Sequence, residues 1–282
     1  MYNAGLVLEG GGMRGVYTAG ALDFFIDKDI WFSSVYGVSA GACHACSYLS
    51  KQRKRAFNVN VDYLKDKRYA SLYSLFKTGD YFGSKFVYDT IPNELSPYDY
   101  DSFNKYEGNF CCVVTNCITG RAEYLKVKDM KKDIDFIRAS SSLPMISGMV
   151  EINGGKYLDG GISDSIPIKK SESDGNLKNV VILTRDGKYR KTKNKMLRVL
   201  KIKYRKYPNL VKAMAERHIK YNNTLDYIEK KEKAGGIYVI RPQKPVEIGR
   251  LEKNKEKLYE LYNEGYNDAK RHYKRLIDFL KS

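Results

Sequence analysis

The sequence predicts an α/β protein with a mostly parallel central sheet. In the N-terminal half, short apolar runs alternate with amphipathic stretches, and turn-forming residues separate them, as in consecutive βαβ units. The order strand, glycine-containing turn, helix occurs twice within the first 50 residues. A chain of 282 residues is long enough for one large domain of this class with an extension.

The first strand–turn–helix unit begins the chain. Gly5 to Glu9 is a short apolar run that predicts a buried strand, and the glycine loop of residues 10–15 follows it. Residues Val16 to Asp27 repeat apolar side chains at helical spacing. We therefore expect the glycine loop to connect the first strand directly to a helix.

The second unit has the same order. Ser34 to Tyr36 predicts a strand, Gly37-Val38-Ser39-Ala40-Gly41 a sharp turn, and Ala42 to Leu49 a helix. This places Ser39 on an elbow between a strand and a helix.

Later elements decide the number of domains. We expect buried strands at Phe110 to Thr115, Val180 to Thr184 and Gly236 to Arg241, a basic helical stretch between about 192 and 233, and a last helix from about Arg250 to Leu280. A strand at 236–241 would return the chain to the same sheet. We therefore predict a core over residues 1–184 and a basic, largely helical part over residues 185–282 that packs on the core and completes the same domain.

The positive charge of the chain is concentrated in this C-terminal third. The net charge is +17, and residues 185–282 hold 28 of the 50 Lys and Arg but only 12 of the 33 Asp and Glu. Such a segment can attract lipid headgroups or nucleic-acid phosphates, or it can form a solvated helical face. We favour the solvated face, keep peripheral contact with an anionic membrane surface as an alternative, and consider nucleic acid the weaker partner.

Compartment and metal binding are judged from the N-terminus and the cysteines. The first residues lack the basic and apolar regions of a secretory signal, and no stretch approaches the length of a transmembrane helix. The five cysteines suggest neither a disulfide framework nor a zinc site. We expect a cytoplasmic protein, with possible peripheral contact to a membrane, and no metal or cofactor.

The pattern Gly37-x-Ser39-x-Gly41 is that of a nucleophile elbow. Its two glycines permit a strained turn and close packing of helix on strand, so that the serine hydroxyl projects at the carboxyl end of the sheet. The pattern also arises by chance, but its position between a predicted strand and a predicted helix favours a catalytic role for Ser39.

The glycine loop Gly10-Gly11-Gly12-Met13-Arg14-Gly15 has two interpretations. Its G-x-G-x-x-G spacing also fits a dinucleotide-binding turn, but the end of the second strand then needs an acid to bind the ribose, and Gly37-Val38-Ser39 stands there. The other interpretation is an oxyanion hole, in which backbone N–H groups stabilise the negative oxygen of an acyl-transfer transition state. We favour the oxyanion hole.

Together with Asp159-Gly160-Gly161, these two motifs resemble the three ordered blocks of the patatin-like phospholipases. Ala139-Ser140-Ser141-Ser142-Leu143-Pro144 also resembles the A-S-x-x-x-P block of that family, so the likeness spans roughly residues 5–170. The resemblance implies a three-layer α/β/α sandwich with a C-terminal helical extension. It also implies that Gly37, Gly41, Gly160 and Gly161 support the motifs.

The resemblance further implies a Ser–Asp dyad, with Ser39 as nucleophile, Asp159 as general base and residues 10–15 as oxyanion hole. None of the three histidines, His44, His218 and His272, falls where a triad member would be expected. Because an aspartate with an ordinary pKa is a poor base for a serine, we expect burial to raise the pKa of Asp159. Asp164 is a second nearby carboxylate, for which a turn or capping role is favoured.

Two further features are open at this point. Arg14 is either a surface arginine or a residue that steadies the loop or meets an anionic headgroup. The aromatic-rich stretch from Tyr63 to Tyr88 fits ordinary core packing better than the mouth of an acyl-chain site.

The leading hypothesis is a serine acyl-hydrolase that cleaves fatty-acyl esters of lipids through an acyl-serine intermediate. The alternatives are an acyltransferase that uses the same site, and a non-catalytic lipid-binding or dinucleotide-binding protein.

Overall fold

A computed structural model describes all residues of the chain, 1–282, and its centre is one eight-stranded sheet. The strands are β1 Tyr2–Leu8, β2 Phe32–Val38, β3 Asn109–Asn116, β4 Ala122–Lys126, β5 Val150–Ile152, β6 Gly155–Asp159, β7 Asn179–Ile182 and β8 Tyr238–Ile240. Their order is β5-β6-β3-β2-β1-β7-β8, and β4 also pairs with β3. The five strands from β3 to β8 in this order are parallel, whereas β4, β5 and β6 pair in antiparallel fashion.

Ten α-helices surround the sheet. They are α1 Val16–Asp27, α2 Ala40–Leu49, α3 Arg55–Val61, α4 Leu72–Thr78, α5 Tyr100–Asn104, α6 Ile134–Ser141, α7 Ile168–Ser173, α8 Leu197–Lys203, α9 Pro208–Lys233 and α10 Lys255–Lys281. Short 3-10 turns cover Gly12–Gly15 and Gly160–Ile162, and a π-helical segment covers Phe86–Leu95.

Helices lie on both faces of the sheet, because successive strand side chains point to opposite faces. In β1, Leu6 and Leu8 belong to a large core with residues of α1, α2 and α10. Val7 between them belongs to a second core with residues of α7 and α9. The fold is thus the three-layer α/β/α sandwich that the sequence predicts, with helices of the C-terminal third in both outer layers.

Helix α10 packs closely along α1. A Cβ on Gly20 would lie 2.0 Å from the Tyr262 carbonyl oxygen, and one on Gly265 would lie 2.0 Å from that of Tyr17, so neither position has room for a side chain. The Tyr17 hydroxyl donates to buried Asp268 at 2.8 Å. In the opposite direction, the Tyr262 hydroxyl of α10 donates to a carboxylate oxygen of Asp23 in α1 at 2.7 Å.

The parallel strands and the first two helices lie where the sequence predicts them, and α1 has the predicted bounds. The last helix does not begin at Arg250. It begins at Lys255, where the Asn254 side chain caps the helix by accepting the Lys257 N–H at 2.9 Å. The chain before it lies over the glycine loop, where the Arg250 carbonyl accepts the Met13 N–H at 3.1 Å.

Candidate active site

Ser39 stands on a strained turn between β2 and α2. Its φ of 54° and ψ of −123° lie in a region that residues with a side chain rarely adopt. A Cβ on Gly41 would lie 2.5 Å from the Leu8 carbonyl oxygen, and one on Gly37 would lie 2.6 Å from the Ala42 Cα. The turn therefore requires glycine at both flanking positions of the motif.

The segment around Ser140 contacts both Ser39 and Asp159. The Ser140 hydroxyl accepts the Ser39 N–H at 3.0 Å and donates to the Val113 carbonyl at 2.7 Å. The Ser142 carbonyl accepts the Asp159 N–H at 2.8 Å. The A-S-x-x-x-P block thus connects the elbow to the strand that ends at Asp159.

Asp159 is the last residue of β6 and is buried. Its Oδ1 accepts the Gly161 N–H at 2.7 Å, whereas its Oδ2 is buried without a hydrogen-bond partner. Burial raises the pKa of Asp159 above its ordinary value, and the charge of Arg217 and the nearby Ser39 hydroxyl oppose the rise. The carboxyl group thus has a raised pKa, as expected from the sequence, and one free acceptor.

The glycine loop lies against the elbow. A Cβ on Gly10 would lie 2.9 Å from the Ser39 Cβ, and Gly12 has a positive φ of 58°. The Met13 N–H is taken by the Arg250 carbonyl, while the amides of Gly10, Gly11 and Gly12 donate to no acceptor within the protein. This part of the chain therefore presents a group of free N–H donors beside Ser39.

Most of the predicted site residues meet in one narrow cavity of about 20 Å³, which is room for one small group. The site residues predicted from the sequence that line this cavity are Gly10, Gly11, Gly12, Arg14, Ser39, Asp159 and Gly161. Met13, Gly15, Gly37, Gly41 and Gly160 do not line it. Met13 faces a different cavity, and three of these glycines act by close backbone packing.

The C-terminal third forms the opposite wall of this cavity with residues that no motif identifies. They are Arg185, Tyr189, Lys191, Arg217, Tyr221 and Arg250. Sequence reasoning missed them because a basic side chain that points inward has the same one-letter pattern as one in a solvated face. Arg14, which the sequence left open as a surface arginine, is buried at 7 % exposure and belongs to the same cavity.

Two apolar spaces adjoin the narrow cavity. One, of about 110 Å³, is lined by Ser39, Met13 and the aromatic side chains of Tyr69, Phe82 and Tyr88. The other, of about 310 Å³, is lined mostly by apolar residues of segment 143–146, α8 and α9. Within the aromatic stretch from Tyr63 to Tyr88, Tyr69 belongs to a small buried core, as favoured from the sequence, and it also borders the first of these apolar spaces.

No histidine lines the cavity that contains Ser39 and Asp159. His44 borders the 110 Å³ apolar space, and its burial lowers its pKa to about 4, so its ring is neutral at physiological pH. Asp164 is also outside the narrow cavity, where its carboxylate accepts the Tyr124 hydroxyl at 2.8 Å. The structure contains no cluster of three or more His, Cys, Asp or Glu side chains suited to a metal ion.

Comparison with known families adds to this geometry. The model of the patatin-like phospholipases matches residues 6–170, more than half of the chain. The chain belongs to the patatin-like phospholipase family. In general terms, this family member is therefore a lipid ester hydrolase. A second model, described as a domain of unknown function (DUF6363), matches residues 207–281, so Arg185 and Lys191 lie in neither match.

Individual relatives of this patatin-like protein are distant. It is 28 % identical over 248 residues to the uncharacterized protein YjjU of Escherichia coli (strain K12), covering 86 % of this chain and 69 % of that protein. It is 24 % identical over 197 residues to the probable lipid hydrolase 463L of Invertebrate iridescent virus 6, covering 63 % and 66 %. The structure is similar to that of VipD from Legionella pneumophila at a TM-score of 0.47 and 14 % identity, covering 100 % of this chain and 67 % of that one.

None of the helices is long and apolar enough to cross a membrane.

Proposed function

We propose that the protein is a serine carboxylic-ester hydrolase that releases fatty acids from lipid esters, with Ser39 as nucleophile and Asp159 as general base. The observation that carries the proposal is the free, buried Oδ2 of Asp159 in the cavity that also contains the strained Ser39. A buried acceptor without a partner is unfavourable in a resting protein and is explained if it receives the serine proton.

The acylation step follows from this arrangement. The Ser39 hydroxyl transfers its proton to Oδ2 of Asp159 while Oγ forms a bond to the ester carbonyl carbon. The carbonyl oxygen becomes an oxyanion. When the tetrahedral intermediate collapses, the bond to the alcohol breaks, Asp159 returns the proton to the departing alkoxide, and an acyl-serine remains.

The free amides of the glycine loop are the proposed oxyanion donors. Gly10, Gly11 and Gly12 line the cavity and have unused N–H groups. Met13 lies in the same loop, but its N–H is held by Arg250, so its contribution is to fix the loop. Preorganised donors of this kind stabilise the charge that develops in the transition state.

Deacylation repeats the chemistry with water. Asp159 takes a proton from water, and the resulting hydroxide adds to the acyl carbon. When the second intermediate collapses, the bond between the acyl carbon and Oγ breaks, Asp159 returns the proton to Oγ, and the fatty acid is released. The acyl chain fits the apolar space of Tyr69, Phe82 and Tyr88, because that space opens directly at Ser39.

The test is hydrolysis of p-nitrophenyl esters of graded chain length in metal-free buffer. We expect Ser39→Ala and Asp159→Asn to lower kcat/KM by roughly 10³-fold or more. The matched control is Asp164→Asn, which changes a nearby, half-buried carboxylate that does not line the cavity, and it should remain within about threefold of wild type. Equal activity of all four proteins would refute the dyad, and added alcohol would reveal acyl transfer as a new ester product.

We also propose that the basic C-terminal part contacts anionic membrane surfaces through α8. Val199 and Ile202 are 46 % and 76 % exposed on this short helix, and Arg198, Lys201 and Lys203 accompany them. Exposed apolar side chains among basic ones are typical of segments that lie in a lipid interface. Charge reversal between Arg198 and Lys206 should weaken binding to anionic vesicles, and unchanged binding would end this proposal.

A further inference from the structure

Five basic side chains converge on the cavity of Ser39. We call Arg14, Arg185, Lys191, Arg217 and Arg250 the basic cluster. Three of them, Lys191, Arg217 and Arg250, also line an adjoining polar space of about 240 Å³. The cluster therefore surrounds both the reacting serine and a space large enough for a polar group beyond it.

No member of the basic cluster forms an ion pair with a carboxylate. The Nε atoms of Arg14, Arg185 and Arg217 are buried without any hydrogen-bond partner. The side chain of Arg14 has one long contact, 3.4 Å from Nη1 to the Ile248 carbonyl. Arg185 also donates from Nη1 to the Val246 carbonyl at 2.6 Å. Buried guanidinium nitrogens are normally hydrogen-bonded, so the three unused Nε donors indicate a partner that is not part of the chain.

The carboxylates in the cavity compensate this charge only in part. Glu9 is already engaged, because it accepts the Thr184 N–H at 2.7 Å and the Tyr221 hydroxyl at 2.6 Å. Asp159 is the only other acid that lines the cavity. Five bases thus face two acids.

Burial and the repulsion between neighbouring cations both lower pKa values within the cluster. Burial, with the charges of Arg217 and Arg250, lowers the pKa of Lys191 to about 7. Burial, with the charges of Arg185 and Arg250, lowers the pKa of Arg14 to about 10. A bound anion would oppose this lowering, because it would stabilise the charged forms of Lys191 and Arg14.

The cluster lies within reach of the scissile ester. A Cβ on Gly161 would lie 2.9 Å from both Arg217 Nη2 and Asp159 Oδ1, so the guanidinium and the proposed base flank the same glycine. Lys191 is fixed on the other side, where Asn222 binds its backbone N–H at 2.8 Å and its carbonyl at 3.1 Å. The oxyanion formed from an ester carries one negative charge, and the glycine loop already supplies donors for it. The positive charge of the basic cluster is therefore larger than ester hydrolysis alone requires.

We propose that the basic cluster is a phosphate-binding site, and that it selects acyl esters which carry a phosphate monoester near the ester bond. Arginine forks match phosphate oxygens, and a doubly charged monoester suits a cluster with several unpaired bases better than a singly charged diester does. The substrate part of this inference rests on the proposed hydrolase function. The same chemistry would also accept free inorganic phosphate, and the experiment separates the two.

The experiment compares acylglycerol 3-phosphate with the uncharged monoacylglycerol of the same acyl chain. The readout is the ratio of the two kcat/KM values, because Arg217 also acts on Asp159 and the ratio cancels that effect. We expect wild type to prefer the phosphate ester, and Lys191→Gln and Arg217→Gln to lower the ratio by about 30-fold or more. Lys188→Gln, an exposed neighbour outside the cavity, is the matched control and should keep the wild-type ratio.

Calorimetric binding of glycerol 3-phosphate and of inorganic phosphate to the same four proteins separates the outcomes. Binding that is lost in Lys191→Gln and Arg217→Gln supports the site, even if no ester is hydrolysed and the proposed function fails. Such binding with equal kcat/KM for both esters assigns the site to free phosphate. No binding to wild type, or binding and ratios that the two substitutions leave unchanged, overturns the inference.

Discussion

The two walls of the cavity around Ser39 are built in different ways. The wall from residues 10–161 is held by backbone contacts, in which glycines at 10, 41 and 160 allow approaches that no side chain permits. The wall from residues 185–250 consists of long basic side chains with few partners. The first wall fixes the geometry of the proposed reaction, whereas the second fixes the electrostatic field in which it takes place.

This difference explains why the two walls differ in what the sequence reveals. A close backbone approach requires glycine, so the geometry of the first wall leaves a fixed pattern in the chain. An inward-facing Lys or Arg has no such requirement, and its orientation depends on contacts between distant segments. The predictions below separate the two walls, beginning with the largest expected effect.

We propose that residues 1–184 and 185–282 form one domain. Residues 1–184 should therefore not fold without residues 185–282. β8 extends the sheet at β7, and α10 covers α1 through the contacts of Gly20 and Gly265. A fragment of residues 1–184 would expose the face of α1 that α10 covers. We expect it to lack a cooperative thermal transition in circular dichroism, and a fragment that melts cooperatively with native-like spectra would show two separate domains.

Gly160→Ala should damage the first wall severely. The new Cβ would lie 2.1 Å from the Val113 carbonyl oxygen and would push apart β3 and β6, the strand that carries Asp159. We expect a loss of about 2–3 kcal/mol in the free energy of unfolding and about 100-fold in kcat/KM. The matched control is Gly187→Ala near the second wall, where the nearest atom is 3.7 Å away, and a change beyond about 0.5 kcal/mol there would contradict the comparison.

The sequence pattern was sufficient for the parallel strands, α1 and α2, and the resemblance to the patatin-like phospholipases was sufficient for the convergence of Ser39, Asp159 and the glycine loop. It did not predict β4, β5 and β6, because these strands are short and partly exposed and so lack the continuous apolar run of a buried parallel strand. It also extended the last helix to Arg250. Residues 250–254 are compatible with a helix locally, but their contact with the glycine loop is a long-range interaction that no local pattern contains.

The pH dependence of kcat/KM should reveal how the second wall acts on the first. Burial raises the pKa of Asp159, so activity should fall with decreasing pH at a midpoint above the ordinary value of 3.8. The positive charge of Arg217 opposes that rise, and Arg217→Gln should therefore move the acidic limb to still higher pH. Product chromatography across the acidic range measures the acidic limb of wild type and that of Arg217→Gln. An unchanged limb in Arg217→Gln would mean that the two walls are electrostatically independent.

The smallest predicted effect is a gain in stability when one charge is removed from the second wall. Burial and the neighbouring cations lower the pKa of Lys191 to about 7, so below pH 7 the folded protein must carry a charge that the unfolded chain holds at less cost. Lys191→Met keeps most of the apolar stem, and we expect it to stabilise the protein by about 1–2 kcal/mol at pH 6, or several degrees in Tm.

That gain should shrink as pH rises above 7 and vanish near the ordinary lysine pKa of 10.5, because the folded and the unfolded amine are then both neutral. The groups that surround Lys191 and set this behaviour are Glu9, Arg14, Arg217 and Arg250. Lys188→Met, at an exposed position, is the control and should show no such pH dependence. Because a bound anion would relieve the same repulsion, phosphate should raise the Tm of wild type more than that of Lys191→Met. Equal shifts in the two proteins would place the phosphate elsewhere.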